Sequence, residues 1–381
     1  MFPLSPEEEL AVDTARDFAQ AEVAPLAAKI DREHHFPREL IQPMADLGLM
    51  GVFVPSEFGG AGLSNVAYAL IIEELSAACA STGIIVSAHS SLCVSPIIEY
   101  GNEAQKAEFL PRLASGKALG CFCLSEPSSG SDAASISCTY RREGDEFVIN
   151  GTKNWITNGP EADVAILFAT SDTSKGNKGI SAFVHDLNLP GVSRGKKEDK
   201  LGIRGSPTSS IHYDNVRIPA SSLLHDENRG FIVAMTTLNG GRIGVAAQAI
   251  GIARSAFDDA MSYAKERKAF GKRICEHQSI QNYFADMVCR IDSSRYLMID
   301  AARRKDIGKN YARHSAMAKL FASETAMECA VKGIQIHGGY GFVTDYPAER
   351  HLRDAKITEI YEGTSEIQRV VISSLLVKED S

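Results

Sequence analysis

The hydrophobic pattern of this 381-residue chain changes character twice, and that alternation limits its fold more than any single motif. From residue 5 to about 118, apolar residues recur near helical spacing, as in Leu10, Val12, Ala15, Phe18, Ala19 and Val23. A second such pattern covers residues 37–49 and ends at Gly51. Asn65 opens a long apolar helical stretch, residues 67–75, which resumes over residues 83–100. Asn102-Glu103-Ala104-Gln105 opens a further helix, with Gly116 past its end. At about residue 119 the pattern shifts to short apolar runs: 121–124, 146–149 ending in an Asn150-Gly151 turn signal, 164–169, 180–184, and 209–218 with an Asp-Asn turn. Helical spacing returns at about 227, over residues 230–263, 278–307 and 311–336. Gly338-Gly339-Tyr340-Gly341 then breaks it, and a last helix begins near Ser365. The expected fold class is α+β: an N-terminal helical domain (1–118), a middle β domain (119–226) and a C-terminal helical bundle (227–381).

With 44% hydrophobic and 23% charged residues, this is the composition of an ordinary globular chain. The net charge of −8 and the lack of a basic cluster argue against a nucleic-acid partner. No apolar run approaches the ~20 residues of a membrane span, so no membrane partner is expected. The start, Met1-Phe2-Pro3-Leu4-Ser5-Pro6, reads as neither a signal peptide nor an Arg-rich transit peptide. Eight cysteines are scattered. Cys121 and Cys123 lack a usual zinc spacing, and no metal site is expected. Reduced thiols suit the bacterial cytoplasm, or the mitochondrial matrix for a mature chain.

The stretch Ile360-Tyr361-Glu362-Gly363-Thr364-Ser365-Glu366-Ile367-Gln368 sets a carboxylate beside a glycine in a partly apolar turn. Desolvation raises the pKa of such a carboxylate toward neutrality, which suits a general base; a solvated loop acid is the plainer alternative. Ser365-x-x-Gln368 reads as a capping box, so a helix N-terminus faces whatever anion lies before it.

Ser125-Glu126-Pro127-Ser128-Ser129-Gly130-Ser131-Asp132 is a polar loop after an apolar strand. It can hold a carbonyl-rich ring or a phosphate, or be an ordinary turn. Trp155, the only tryptophan, sits beside Ile156, Thr157 and Asn158, suited to stacking on a flat heterocycle or to a core. Arg267 and Gln278, around the interhelix segment with Phe270 and Gly271, offer grips for a phosphate or amide. Gln335-Ile336-His337-Gly338-Gly339 closes a helix, and Asn239-Gly240-Gly241-Arg242 presents an arginine to an anionic substrate.

Together these motifs are similar to those of the acyl-CoA dehydrogenase family, most like its short-chain and short/branched-chain members. The resemblance rests on Leu124-Ser125-Glu126-Pro127-x-x-Gly130-Ser131-Asp132, Trp155-Ile156-Thr157-Asn158 and Lys200-Leu201-Gly202-Ile203-Arg204-Gly205-Ser206. It rests equally on Arg267-x-x-Phe270-Gly271, Gln335-Ile336-His337-Gly338-Gly339-x-Gly341 and Arg353-Asp354-Ala355-Lys356-Ile357-x-x-Ile360-Tyr361-Glu362-Gly363-Thr364.

The resemblance spans essentially the whole chain. It implies a β-barrel middle domain, a C-terminal four-helix bundle, a homotetramer, FAD as cofactor, an acyl-CoA substrate and electron transfer to an electron-transfer flavoprotein. It implies that Glu362 removes the α-proton while a hydride passes to flavin N5. Phe122, Leu124, Ser125, Gly130, Ser131, Trp155, Ile156 and Thr157 match flavin-ring positions. Arg267, Phe270, Gln278, Gln335, Ile336, His337, Gly338, Gly339, Thr364, Ser365 and Glu366 match other FAD positions, some of them on a neighbouring subunit. Ser131, Asn239, Arg242 and Gly363 match substrate positions. Relatives that carry the base on the helix near Arg242 have a carboxylate where this chain has Gly241, which favours Glu362. A C4-like acyl group, straight or branched, is expected.

Overall fold

The computed structural model describes residues 4–379; Met1–Pro3 of the N-terminal segment, and residues 380 and 381, lie outside the described residues. Helix α1 (Pro6–Phe18) starts on a capping box in which Ser5 and Glu8 satisfy each other's backbone N–H groups. Helices α2 (Ala27–Arg32) and α3 (Arg38–Asp46) follow. Helix α4 (Asn65–Ala78) is buried almost all round, since it runs between α1 and the C-terminal helices. Extended backbone at Cys79 breaks it.

The chain then forms α5 (Ala80–Ser87), a π-helical segment (Ala88–Val94) and α6 (Ser95–Tyr100). The sequence pattern predicted no membrane-length apolar run, but these 21 residues are long and apolar enough to be one, and residues 80–97 are buried inside the molecule. The run escaped notice because Ser81, Ser87, Ser90, Ser91, Ser95 and His89 interrupt it, yet all of these are buried too. His89 Nδ1 accepts from Gly120 N at 3.0 Å, which ties the helix to the first strand. Helix α7 (Glu103–Ala114) begins where expected, on a capping box formed by Asn102 and Gln105.

The middle domain is one eight-stranded sheet of β1 (Gly120–Cys123), β2 (Thr139–Glu143), β3 (Glu146–Thr157), β4 (Val164–Thr170), β5 (Ile180–Asp186), β6 (Val192–Arg194), β7 (Thr208–Pro219) and β8 (Leu223–Leu224). Its order is β6-β7-β3-β2-β4-β5-β8, with β1 parallel to β4. Tyr140, Phe147 and Phe183 pack edge-on at 5.1–5.5 Å between ring centroids. Asn150-Gly151 is not the turn the sequence pattern suggests: β3 continues to Thr157 through a bulge, and a Cβ on Gly151 would lie 2.6 Å from Cys138 Cα. The Asp214-Asn215 pair is likewise inside β7, with Asn215 at φ +49.

Loop 125–132 is anchored from beneath by a fully buried ion pair, Lys153 Nζ to Glu126 Oε1 at 2.7 Å. Lys153 also donates to Leu124 O at 3.1 Å, and Glu126 accepts from Ser137 N and Cys138 N. Burial alone would raise the Glu126 pKa; Lys153 and Ser137 outweigh it and hold the carboxyl below its usual range.

The C-terminal block consists of α8 (Gly230–Glu266), a hairpin of β9 (Lys268–Ala269) and β10 (Lys272–Arg273), α9 (Gln278–Asp306), α10 (Ala312–His337), α11 (Ala348–Lys356) and α12 (Ser365–Glu379). Fully buried alanines such as Ala249, Ala253, Ala256, Ala318, Ala322 and Ala326 let α8 and α10 approach closely. Glu73 and Glu74 of α4 pair with Arg254 of α8 and Arg295 of α9, joining the outer blocks.

A second junction joins all three domains. Arg353 grips Asp31 through two bonds of 2.8 and 2.6 Å, and Asp354 accepts from Ile203 N in the 200–206 loop. Burial pushes the Asp354 carboxyl up to about 6.

Removing one partner of a buried pair leaves a desolvated charge. Lys153→Met is therefore expected to lower unfolding stability by about 3–5 kcal/mol, read from the denaturant midpoint. The double variant Glu126→Leu/Lys153→Met is expected to stay below wild type, because Ser137 N and Cys138 N still lose their acceptor.

Candidate active site

Glu362 lies in the turn between α11 and α12 with φ +52, and Gly363 follows at φ +94. A left-handed glutamate costs about 1–3 kcal/mol and persists only where its surroundings hold it. Here the surroundings are specific. Gln368 Nε2 donates to Glu362 O at 3.2 Å and to Gly363 O at 2.8 Å, and Lys319 Nζ from α10 donates to Gly363 O at 2.8 Å. The Tyr361 hydroxyl donates to Gln248 Oε1 on α8.

The expected Ser365/Gln368 capping box is not formed. Thr364 Oγ1 accepts from Ile367 N at 3.3 Å and is the cap, Ser365 is the first helical residue, and Gln368 turns back to the loop carbonyls. The shift has a simple cause: the left-handed pair Glu362–Gly363 brings the chain into helical geometry one position earlier than the Ser-x-x-Gln spacing suggests.

The Glu362 side chain reaches α8. A methyl group on Gly241 would overlap Oε2 of Glu362 and come within 2.8 Å of Leu92 Cδ2. Oε2 is buried and has no hydrogen-bond partner. Burial pushes the Glu362 carboxyl up to about 7, tempered by the nearby charges of Arg242 and Lys319. Arg242 is 5% exposed; its Nη1 donates to Asn239 Oδ1 at 2.7 Å and its Nε has no partner. Among the described residues, no protein acceptor takes the Glu362 N–H. One turn along α8 (about 5.4 Å), Gly244 faces the Tyr68 hydroxyl and Ser87 Oγ, themselves hydrogen-bonded at 2.9 Å. The result is a desolvated carboxylate with an unused oxygen and a free neighbouring N–H, above a closed floor. Such a group can accept a proton from a weak carbon acid while the N–H bonds the oxyanion that develops.

The β-domain residues form a second group. Phe122 is half-buried on β1 and packs on Phe168 at 4.9 Å. Leu124 is buried, and Ser125 O accepts from Asn154 N, fixing the start of the polar loop. Gly130 and Ser131 are exposed at its tip. Trp155 is not in the core: a register shift between Lys153 and Ile156 and a φ of +60 turn its ring outward, 61% exposed, while Ile156 is buried and Thr157 half-buried. An exposed indole held by strained backbone is a ready stacking surface.

A third group lies at the other end of the helical block. Tyr263, Arg267, Ile336, His337, Gly338 and Gly339 line a groove of about 570 Å³. Arg267 lies 5.8 Å over the Tyr340 ring. His337 is structural at one ring nitrogen, since Nδ1 donates to Gly333 O at 2.8 Å, and its ring stacks on Tyr263 at 4.5 Å. Gln335 and Gln278 are exposed, and Phe270 projects from the hairpin at 97% exposure. Thr364, Ser365 and Glu366 line a separate pocket of about 360 Å³ with Lys356 and Arg369; Ser365 Oγ is buried without a partner. Three sets of exposed or orphaned groups, one flat and apolar and two polar with charges of both signs, offer surfaces for a flat ring with a polar tail.

Lys319, Tyr68 and Leu92 belong to the site and were not singled out from the sequence, and Gln368 was read there only as a helix-cap residue. Only Lys319 carries a sequence signal, a lone cation in the apolar run Ala316-Met317-Ala318-Lys319-Leu320-Phe321-Ala322.

Comparison with known proteins accords with this geometry. The acyl-CoA dehydrogenase N-terminal, middle and C-terminal domain models match residues 5–117, 121–216 and 228–376. The human mitochondrial short-chain specific acyl-CoA dehydrogenase is 50% identical over 370 residues, 97% of this chain and 90% of that one. The structure of butyryl-CoA dehydrogenase from Megasphaera elsdenii superposes with a TM-score of 0.97 at 43% identity, covering 99% of this chain and 100% of that one. A chain solved in work on the electron transferring flavoprotein of Acidaminococcus fermentans and flavin-based electron bifurcation gives 0.97 at 45% identity, covering 99% of both chains. The chain therefore belongs to the acyl-CoA dehydrogenase family of flavoprotein oxidoreductases.

Proposed function

We propose that this acyl-CoA dehydrogenase oxidises a short-chain acyl-CoA thioester to the trans-2-enoyl-CoA, with Glu362 as the base. The observation that carries the assignment is the buried, unpartnered Oε2 of Glu362 seated against Gly241. An α-proton beside a thioester is weakly acidic, so its acceptor must be desolvated and the departing charge must meet a donor. Glu362 supplies the acceptor, and its free N–H is placed to bond the thioester oxygen. Gly363 and Arg242 border the acyl end, with Asn239 holding Arg242.

FAD, when bound, supplies the acceptor for the hydride that leaves the β-carbon. Trp155, Phe122 and loop 125–131 would hold its ring, and Thr364–Glu366 its polar chain. Arg267, Gln278 and residues 335–339 would hold the cofactor of a neighbouring subunit. Phe270 and Phe342, 97% and 86% exposed, favour burial in a homotetramer. The electron acceptor is an electron-transfer flavoprotein, as suits a relative from that system. The closed floor of Tyr68, Ser87 and Leu92 near Glu362 favours an acyl chain of about four carbons.

An anaerobic visible-spectrum titration tests the whole reading. Butyryl-CoA is expected to bleach the flavin, with isobutyryl-, 2-methylbutyryl- and octanoyl-CoA as the discriminating arms; a flavin untouched by all four rejects it. Glu362→Gln is expected to retain FAD yet lose bleaching by at least about a thousandfold in rate. Gly241→Ala is expected to displace the carboxylate and slow reduction about a hundredfold with the flavin still bound. Arg267→Ala is expected to lower FAD content and the oligomer's size together, seen by absorbance ratio and size exclusion; unchanged values remove Arg267 from the cofactor site.

A further inference from the structure

Lys319 is fully buried in α10, and among the described residues no carboxylate lies within ion-pair distance of its Nζ. Its neighbours on the same helix, Ala316, Ala318 and Ala322, are wholly buried apolar residues. A charged ammonium there loses its hydration and receives in exchange a hydrogen bond of 2.8 Å to Gly363 O. An apolar side chain would cost the helix less. The return is found in the adjoining turn, where the same carbonyl belongs to the left-handed pair Glu362–Gly363.

We propose that Lys319 is a positioning residue for the base: its hydrogen bond to Gly363 O fixes the left-handed turn, and its buried charge faces the Glu362 carboxylate. The inference rests on Glu362 being the base.

The groups facing Glu362 come from several elements. Arg242 approaches from α8, Lys319 from α10, the Tyr361 phenol from the same turn and the Tyr68 phenol from α4. Burial pushes the ionisation of both phenols upward, so they carry no charge near neutrality. The two cations are therefore what favours the carboxylate form against its own desolvation. Arg242 is held by Asn239, off the turn, whereas Lys319 bonds the turn itself, so backbone geometry and charge are set by one side chain. Burial and Arg242 push the Lys319 ammonium down to about 8, with Glu362 opposing them. Gln368 shares the Gly363 carbonyl, so the turn keeps one donor when Lys319 is replaced.

The test is stopped-flow flavin reduction by butyryl-CoA in the FAD-loaded protein, from pH about 6 to about 9. The base form of Glu362 grows as pH rises through its pKa, so reduction has an acid limb. Removing a nearby positive charge raises that pKa and moves the limb to higher pH. Lys319→Met is expected to shift the limb upward by about one pH unit. It is also expected to slow the limiting rate at neutral pH about 10- to 100-fold, with little change in the butyryl-CoA concentration at half saturation. Lys319→Arg is expected to restore most of the limb position.

An unshifted limb in Lys319→Met overturns the proposal, whether or not the rate falls, because a packing role alone would slow reduction without moving the limb. If Lys319→Met loses FAD or fails to fold, Lys319→Gln carries the test. It is neutral but still able to donate to Gly363 O, and a limb at the wild-type position overturns the proposal equally. A wild-type flavin that butyryl-CoA reduces at a rate independent of pH, or that none of the four thioesters reduces, overturns the reading of Glu362 beneath it.

Discussion

The geometry around the site depends on how closely α8 lets other elements approach its axis. At Gly241 the neighbour is the Glu362 carboxylate, at Gly244 the Tyr68–Ser87 pair, and at Gly251 the backbone of α4 near Glu73. Each neighbour occupies the volume of a missing methyl group. A 37-residue helix with glycines at these positions gives up helix propensity, about 1 kcal/mol for each relative to alanine. The contacts made in exchange bring a carboxylate, a phenol and a helix backbone onto one face of α8. A carboxylate side chain at 241 would compete with that of Glu362 for the same space.

Desolvation is the second consequence of that closeness. Glu362 has an oxygen that meets neither water nor a donor, and the strain of its backbone is opposed by Gln368 and Lys319. The turn is held by α10, remote in sequence, and by α12, which follows it directly, while the carboxylate is seated on a third helix, α8. Gln368 and Lys319 hold the turn, while burial, Arg242 and Lys319 act on the carboxyl, so the carboxylate can be both ionisable near neutrality and fixed in space.

Much of this was legible in the sequence. The helix–strand–helix order follows from hydrophobic spacing, because long amphipathic or wholly apolar helices and short punctuated strands leave different patterns. Glu362 stood out because an acid beside a glycine in an apolar turn is chemically unusual. Other features were not legible, for identifiable reasons. Trp155 faces outward because of a bulge at a non-glycine residue, which no pattern of polar and apolar residues encodes. Asn150-Gly151 has the composition of a turn, but the close approach of Cys138 makes it a bulge. The helix cap lies at Thr364 rather than Ser365 because of two left-handed residues before it. Arg267 and Gln278 read as grips for a phosphate or amide from residue type and, from the resemblance, as binding the cofactor of a neighbouring subunit; in the single chain both are exposed.

The junction of Arg353, Asp31 and Asp354 bears on how the chain comes together during synthesis. Asp31 waits for an arginine 322 residues further on, and the Ile203 N–H waits for Asp354. Domains generally fold as they emerge from the ribosome. Here the first domain is born with a carboxylate whose countercharge does not yet exist, and the second with a backbone N–H still lacking its acceptor. Both must keep these groups hydrated until Arg353 and Asp354 appear, and for Asp31 that is 322 residues later (about 15–65 s at ordinary elongation rates). The final docking is then the step that dries all three surfaces at once, so a nascent chain stalled before Arg353 would retain wet, open faces where the finished protein has an interior.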